Sequence, residues 1–227
     1  MANRMFAAAI TMLLLTSCAT TNIKPIGDQD SFKLQDDEKR IWSRSKEEET
    51  RLNQSNLIYD DPELTAYVNE VAQNLVPADV REMGITIEVK IIKNPLLNAF
   101  AYPNGVIYVH TGILAKMDNE AQLSTLLGHE MTHITHRHAI QQTRTVKNTT
   151  AVLATIQMAT IPFGVYGNLA NLLGTIGTMA SVTGYSRELE TEADNIGMNL
   201  MVTAGYDPQE APKLFRYLKS DLENNKV

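Results

Sequence analysis

His129-Glu130-Met131-Thr132-His133 is the stretch on which the fold turns. On a helix, positions i and i+4 share a face, so two imidazoles can hold one metal ion. Glu130 sits one step round, close enough to act on a water beside the metal without being a third ligand. This is the pattern of a zinc site that hydrolyses amide bonds. The bland alternative is a surface helix with two solvated histidines, and the flanking residues argue against it. Leu123, Leu126, Leu127, Met131 and Ile134 give the segment a buried face, with His129 and His133 along its edge. Asn119 with Gln122, or Asp118 alone, caps its start.

Catalytic zinc takes three protein ligands and keeps one position open. The chain has five histidines. His136 lies one turn past His133 on what reads as an uninterrupted helix, so its ring points at another height. A third histidine ligand after such a motif needs a glycine turn to bring the chain back, and none follows. His136 and His138 therefore read as surface or supporting groups, and His110, at a strand end, is a minor candidate. Among the acids, Glu188, Glu190, Glu192 and Asp194 crowd one later helix. Leu189, Ala193, Ile196, Gly197 and Leu200 mark its buried face; Glu190 and Asp194 border that face, while Glu188 and Glu192 point to water. An unpaired buried Glu190 would be costly, and a zinc ion offsets that cost. Asp194, one turn on, is placed to accept a hydrogen bond from a ligating histidine and fix its tautomer. At this point the alternative, four solvated acids, stays open.

Working outward, the 227 residues suffice for one ordinary domain with appendages. The net charge of −6, with no basic run, gives no reason to expect nucleic acid as a partner. Arg4 precedes a short apolar run, Met5 to Leu15, and then Leu15-Thr16-Ser17-Cys18. Small residues before a cysteine resemble a bacterial lipobox, with residues 1–17 as signal peptide and the lipid on Cys18. The alternative is a plain secretory signal with an incidental cysteine. Cys18 is the only cysteine, so it forms no internal disulfide. Residues 18–35 read as a tether, 36–222 as the domain and 223–227 as a tail.

Asp36 to Arg51 is dense in both charge signs and reads as a solvated helix. Asp61-Pro62-Glu63 opens a helix with Leu64, Val68, Val71 and Leu75 on one face. Ile85 to Ile91 alternates as a strand, and Pro103-Asn104-Gly105 joins Ala99–Tyr102 to Val106–Val109 in a hairpin. A sheet edge can hold a substrate as an added strand. Val106, Ile107, Tyr108 and Val109 are the candidate edge; a plain core hairpin fits the residues as well. From Asn148 through Ser186 no residue is charged, yet Pro162 and several glycines interrupt the stretch. It reads as two buried or membrane-leaning helices joined near Pro162, with a transmembrane helix as the lesser alternative.

These residues resemble a known family. Asn98-Ala99-Phe100-Ala101, Gly105 to Val109, Thr111-Gly112, the His129–His133 motif with Arg137-His138 beyond it, and Tyr185-Ser186-Arg187 followed by Glu190 and Asp194 occur in that order. The chain is similar to the HtpX-like and BepA-like gluzincin metalloendopeptidases, relatives of the CAAX prenyl proteases, from about residue 60 to 218. The resemblance implies an α+β fold: a mostly helical zincin-like domain with a small sheet and an active-site helix. It implies one Zn2+ per chain held by His129, His133 and Glu190, with Glu130 as general base and Asp194 in support. Lipid-anchored members are periplasmic and serve envelope protein quality control, including outer-membrane protein assembly. The sequence ends at Val227 without the tetratricopeptide array of BepA-type enzymes, and no histidine follows His138. The expectation is a minimal member or one whose tail is missing.

The resulting expectation is a zinc endopeptidase acting on polypeptides at the periplasmic face of the outer membrane of a Gram-negative host. Arg187 or Tyr185 would supply the oxyanion donor. The rival from another class is a gated or non-catalytic, chaperone-like binding lipoprotein with a zinc site. An aminopeptidase would need an acidic anchor for a free amine, which the sequence neither offers nor excludes.

Overall fold

A computed structural model describes residues 23–28, 32–149 and 173–224. The expected signal peptide, Cys18 and the helix junction near Pro162 lie outside the described residues. Helix α1 spans Asp36–Asn53, α2 Pro62–Leu75 and the short α3 Ala78–Glu82. Strands β1 (Glu88–Ile92), β2 (Ala99–Ala101) and β3 (Val106–His110) follow. Further α-helices among the described residues are α4 (Thr111–Leu114), α5 (Glu120–Thr135), α6 (His138–Thr149), α7 (Arg187–Thr203) and α8 (Ala211–Asn224), with a π-helical turn at Met179–Thr183 and a 3-10 turn at Pro208–Glu210. The class is α+β, as expected.

The small sheet has the order β1-β3-β2, with β1 parallel and β2 antiparallel to β3. Gly105 makes the β2–β3 turn possible: its φ is 103°, and a side chain there would meet the Thr86 carbonyl at 2.1 Å. Val106, Ile107, Tyr108 and Val109, expected at an edge, form the central strand and are all buried. The reason is the parallel return of β1 on the far side of β3, a pairing that local sequence does not announce. The hairpin's outer edge is therefore β2. Along β3 the side chains alternate between two cores. Ile107 and Val109 join Val68, Val71, Leu127 and Met131 of α2 and α5. Val106 and Tyr108 join Phe100, Tyr102, Ile41 of α1, and Leu173 and Ile176. The sheet is thus sandwiched between α1 and the pair α2/α5.

Helix α1 departs from expectation. Glu38, Glu48 and Glu49 are buried, each with partners. Glu38 accepts from Arg137 Nε at 2.7 Å; Glu48 accepts the backbone N–H of Thr175, Ile176 and Gly177; Glu49 takes Lys90 Nζ at 2.9 Å. Buried charges are tolerated only when compensated in this way. Nor are all of residues 18–35 a free tether. Ile23 and Ile26 are buried, and Ile26 donates its N–H to Thr135 at 2.8 Å. Among the described residues, no helix is long and apolar enough to cross a membrane.

Candidate metal centre

Asn119 caps α5 by accepting the Gln122 N–H at 3.1 Å, and Gln122 in turn accepts the Asp118 N–H at 3.0 Å. The i, i+4 spacing then brings His129 and His133 to one side. Helix α7 crosses α5 where Gly128 meets Gly197: a side chain on Gly197 would lie 2.6 Å from the His129 nitrogen. The glycines let the two backbones touch, and that closeness carries Glu190 to the histidines. Ser186 opens α7 in an extended conformation, and Glu190 Oε1 accepts the Tyr185 N–H at 3.1 Å.

His129, His133 and Glu190 form the group that could hold a metal ion. Nε2 of His129 stands 3.0 Å from Nε2 of His133; Glu190 Oε2 lies 3.4 Å from the first and 4.0 Å from the second. Ligand atoms at about 2.0–2.1 Å around a tetrahedral zinc sit roughly 3.3 Å apart, so the donor set fits zinc in kind and spacing. The outer nitrogens are occupied: His129 Nδ1 faces Asp194 Oδ1 at 2.9 Å, and His133 Nδ1 faces His138 Nδ1 at 2.8 Å. Both Nε2 atoms are thereby left for a metal.

The electrostatics without metal agree. Burial disfavours charge on His129, but the Asp194 and Glu190 carboxylates outweigh it and raise its pKa to about 10. His133 goes the other way: burial, then the neighbouring His129 and His138, push it well below its ordinary value. Burial raises Glu130 to about 7, opposed by His129 and assisted by Glu190. Burial also works against the Glu190 carboxylate, yet the His129 hydrogen bond and the Tyr185 N–H hold it low. A cavity of about 110 Å3 opens on the Glu130 side, walled by Leu97, Ala99, Leu126, Leu214 and Leu218.

The structure brings His129, Glu130, His133, Glu190 and Asp194 together. Tyr185 joins them, its ring stacked on His133 at 4.3 Å. Arg187 is exposed on the first turn of α7. His110 is buried edge-on to Phe100, 6.1 Å between centroids, and stands outside the group. Helix α5 is not uninterrupted: it ends at Thr135, and Arg137 takes φ 59° before α6 begins. A non-glycine residue makes the turn for which only glycine was sought, which is how His138 reaches His133. Glu192, expected to face water, lies 3.5 Å from His138 Nε2 and is 41% exposed.

Helix, sheet and ligand set together define a zincin-like zinc metallopeptidase domain. Residues 59–224 match Peptidase family M48, a zinc-dependent family, and the chain belongs to it. It is 30% identical over 166 residues to the beta-barrel assembly-enhancing protease of Yersinia pestis, covering 71% of this chain and 34% of that one. It is 35% identical over 135 residues to the mitochondrial metalloendopeptidase OMA1 of Arabidopsis thaliana, covering 60% of this chain and 26% of the relative. With the OMA1 of Schizosaccharomyces pombe it shares 32% over 151 residues, covering 66% and 43%. The chain thus spans about a third of the length of the bacterial relative.

Proposed function

We propose that this chain is a zinc-dependent endopeptidase that cleaves misfolded or misassembled envelope proteins, held at the periplasmic face of the outer membrane by a lipid on Cys18. The observation that carries the hydrolytic part is the convergence of His129, His133 and Glu190 beside the buried Glu130, next to an open cavity. The envelope setting is supported by the Cys18 motif and by the name of the bacterial relatives, beta-barrel assembly-enhancing protease, which also suggests the outer-membrane assembly machinery as a partner.

Bound zinc supplies a Lewis acid that brings water's pKa to about 7 and polarises a carbonyl. Glu130 takes the proton of the attacking water and hands it to the leaving amine. Burial raises the proton affinity of its carboxyl, the direction a general base needs, and a bound zinc ion would act the other way. Asp194 orients His129. Tyr185, half-buried with its ring stacked on His133 at 4.3 Å and feeling the charges of Glu130 and Glu190, is the donor for the developing oxyanion. The substrate strand adds to β2. His110 donates to Asn98 and Tyr102 donates to Val106, so alternation turns the N–H and C=O groups of Ala99 and Ala101 away from β3.

Zinc content and casein cleavage by the protein, with and without a chelator, test this reading. About one zinc per chain and chelator-sensitive cleavage are expected. Glu130→Gln should keep the zinc and lose cleavage by at least about 10²-fold; an active variant overturns the mechanism. Zinc without any cleavage would favour the gated, chaperone-like binding role.

A further inference from the structure

His133 and His138 face each other through their Nδ1 atoms at 2.8 Å, with ring centroids 4.9 Å apart. Two imidazoles can share such a contact only if one nitrogen carries the proton and the other offers its lone pair. If His133 gives Nε2 to the metal, its Nδ1 must carry the hydrogen. His138 Nδ1 is then the acceptor, and its proton sits on Nε2. That nitrogen is buried without a hydrogen bond, and the nearest carboxylate oxygen, on Glu192, lies 3.5 Å away. Every proton in the chain of contacts has one consistent place.

The contact is built by the backbone. Along a continuing helix, residue 138 would lie on another face from 133. The left-handed residue Arg137, φ 59°, turns the chain back instead. That conformation is unfavourable for a non-glycine residue, and it is held from several sides. Arg137 donates to Glu38 at 2.7 Å and to the Lys24 carbonyl at 3.1 Å, and it stands over the Phe32 ring at 5.6 Å. His138 is fully buried. Tyr185 stacks on His133 at 4.3 Å, so His133 is held by a second ring besides His138.

We propose that His138 is a positioning residue of the metal centre. By accepting the His133 Nδ1–H, it fixes the ring and the tautomer that present Nε2 to the ion, as Asp194 does for His129. The role rests on the zinc reading above. Supporting groups of this kind are worth about 10–100-fold in metal affinity.

The test is zinc affinity, by chelator competition, of the wild-type chain and of His138→Leu, His138→Asn and His138→Gln, with metal-free melting curves alongside. Asparagine can place its amide oxygen where Nδ1 stands; glutamine cannot. His138→Leu should bind zinc about 10–100-fold more weakly, with His138→Asn recovering most of the loss and His138→Gln little of it. In zinc-loaded protein labelled with 15N-histidine, the His133 Nδ1–H signal should shift in the Leu variant and return in the Asn variant. Should leucine prevent folding, the Asn/Gln pair carries the same comparison. Wild-type affinity in His138→Leu, or equal losses for Asn and Gln, overturns the role. A wild-type chain that takes no zinc overturns the metal reading itself, which is a different result.

Discussion

Tyr185 ties two functions to one side chain. Its backbone N–H orients Glu190, its ring stacks on His133, and its burial pushes the hydroxyl's pKa well up, with Glu130 and Glu190 adding to the effect. A hydroxyl held protonated at working pH is a donor. Tyr185→Phe keeps the ring and backbone and deletes only that donor. It should therefore bind zinc as before while kcat falls about 10²–10³-fold, the usual cost of losing one oxyanion contact. An unchanged kcat in steady-state assays would place the donor elsewhere. The liganding residues were legible because their chemistry is tied to spacing: the two histidines to i and i+4, Glu190 to the border of an apolar face. His138 was legible only as a supporting group. Nothing in Arg137 announces a left-handed turn, whose cost is met by contacts with residues 24, 32 and 38, far away in the chain.

The centre depends on how two helices meet. Gly128 and Gly197 face each other, and a methyl on Gly128 would stand 2.7 Å from the Gly197 carbonyl oxygen. Gly197→Ala must push α7 away from α5 and carry Glu190 with it. We expect weaker zinc binding and a lower melting temperature, by about 1–3 kcal/mol of overpacking; calorimetry with and without zinc would register both, and an unaltered zinc affinity would mean that α7 tolerates the shift. Helix α8 supplies the other wall of the cavity beside Glu130, with Leu214 and Leu218. The half-open space of about 110 Å3 is walled by Leu97, Ile113, Leu126, Leu214 and Leu218, so it suits an aliphatic side chain. In the proposed mechanism Glu130 protonates the leaving nitrogen, so the residue bearing that nitrogen would be the one beside it. Peptides with leucine or valine directly after the cleaved bond should be the better substrates, and Leu218→Trp should raise their KM; indifference to that residue would remove the cavity from substrate recognition. The starts of α2 and α5 were legible in sequence, since caps and apolar stripes are local, while the end of α5 was not. The position of β3 was not, because being central depends on a strand that returns from the other side.

At the scale of the molecule, α1 joins parts of the chain that would otherwise be independent. Charge density made it read as a solvated helix, but density does not say where the partners are. Glu38 reaches the turn after α5, Asp37 pairs with Arg144 of α6 at 2.8 Å, and Glu48 gathers the amides of 175–177. Arg144 holds the Asp37 carboxyl below its ordinary range, with burial opposing. A depressed folded pKa contributes stability above the unfolded value of roughly 4, and that part is lost as pH falls through it. Hydrogen exchange of α1 should therefore rise between about pH 5 and 3 ahead of that of α5. Glu48 gives the sharper test. Its carboxylate is buried, and removing it strands the buried N–H groups of Ile176 and Gly177. Glu48→Ala should cost about 3 kcal/mol. The loss should be felt first in 173–186, the segment that ends in Tyr185 against His133. Exchange protection there should drop, and cleavage should weaken, while α2 and β1 keep their protection. If protection falls evenly across the chain, Glu48 stabilises the fold without steering the site. If 173–186 loosens and cleavage is untouched, the centre does not depend on α1.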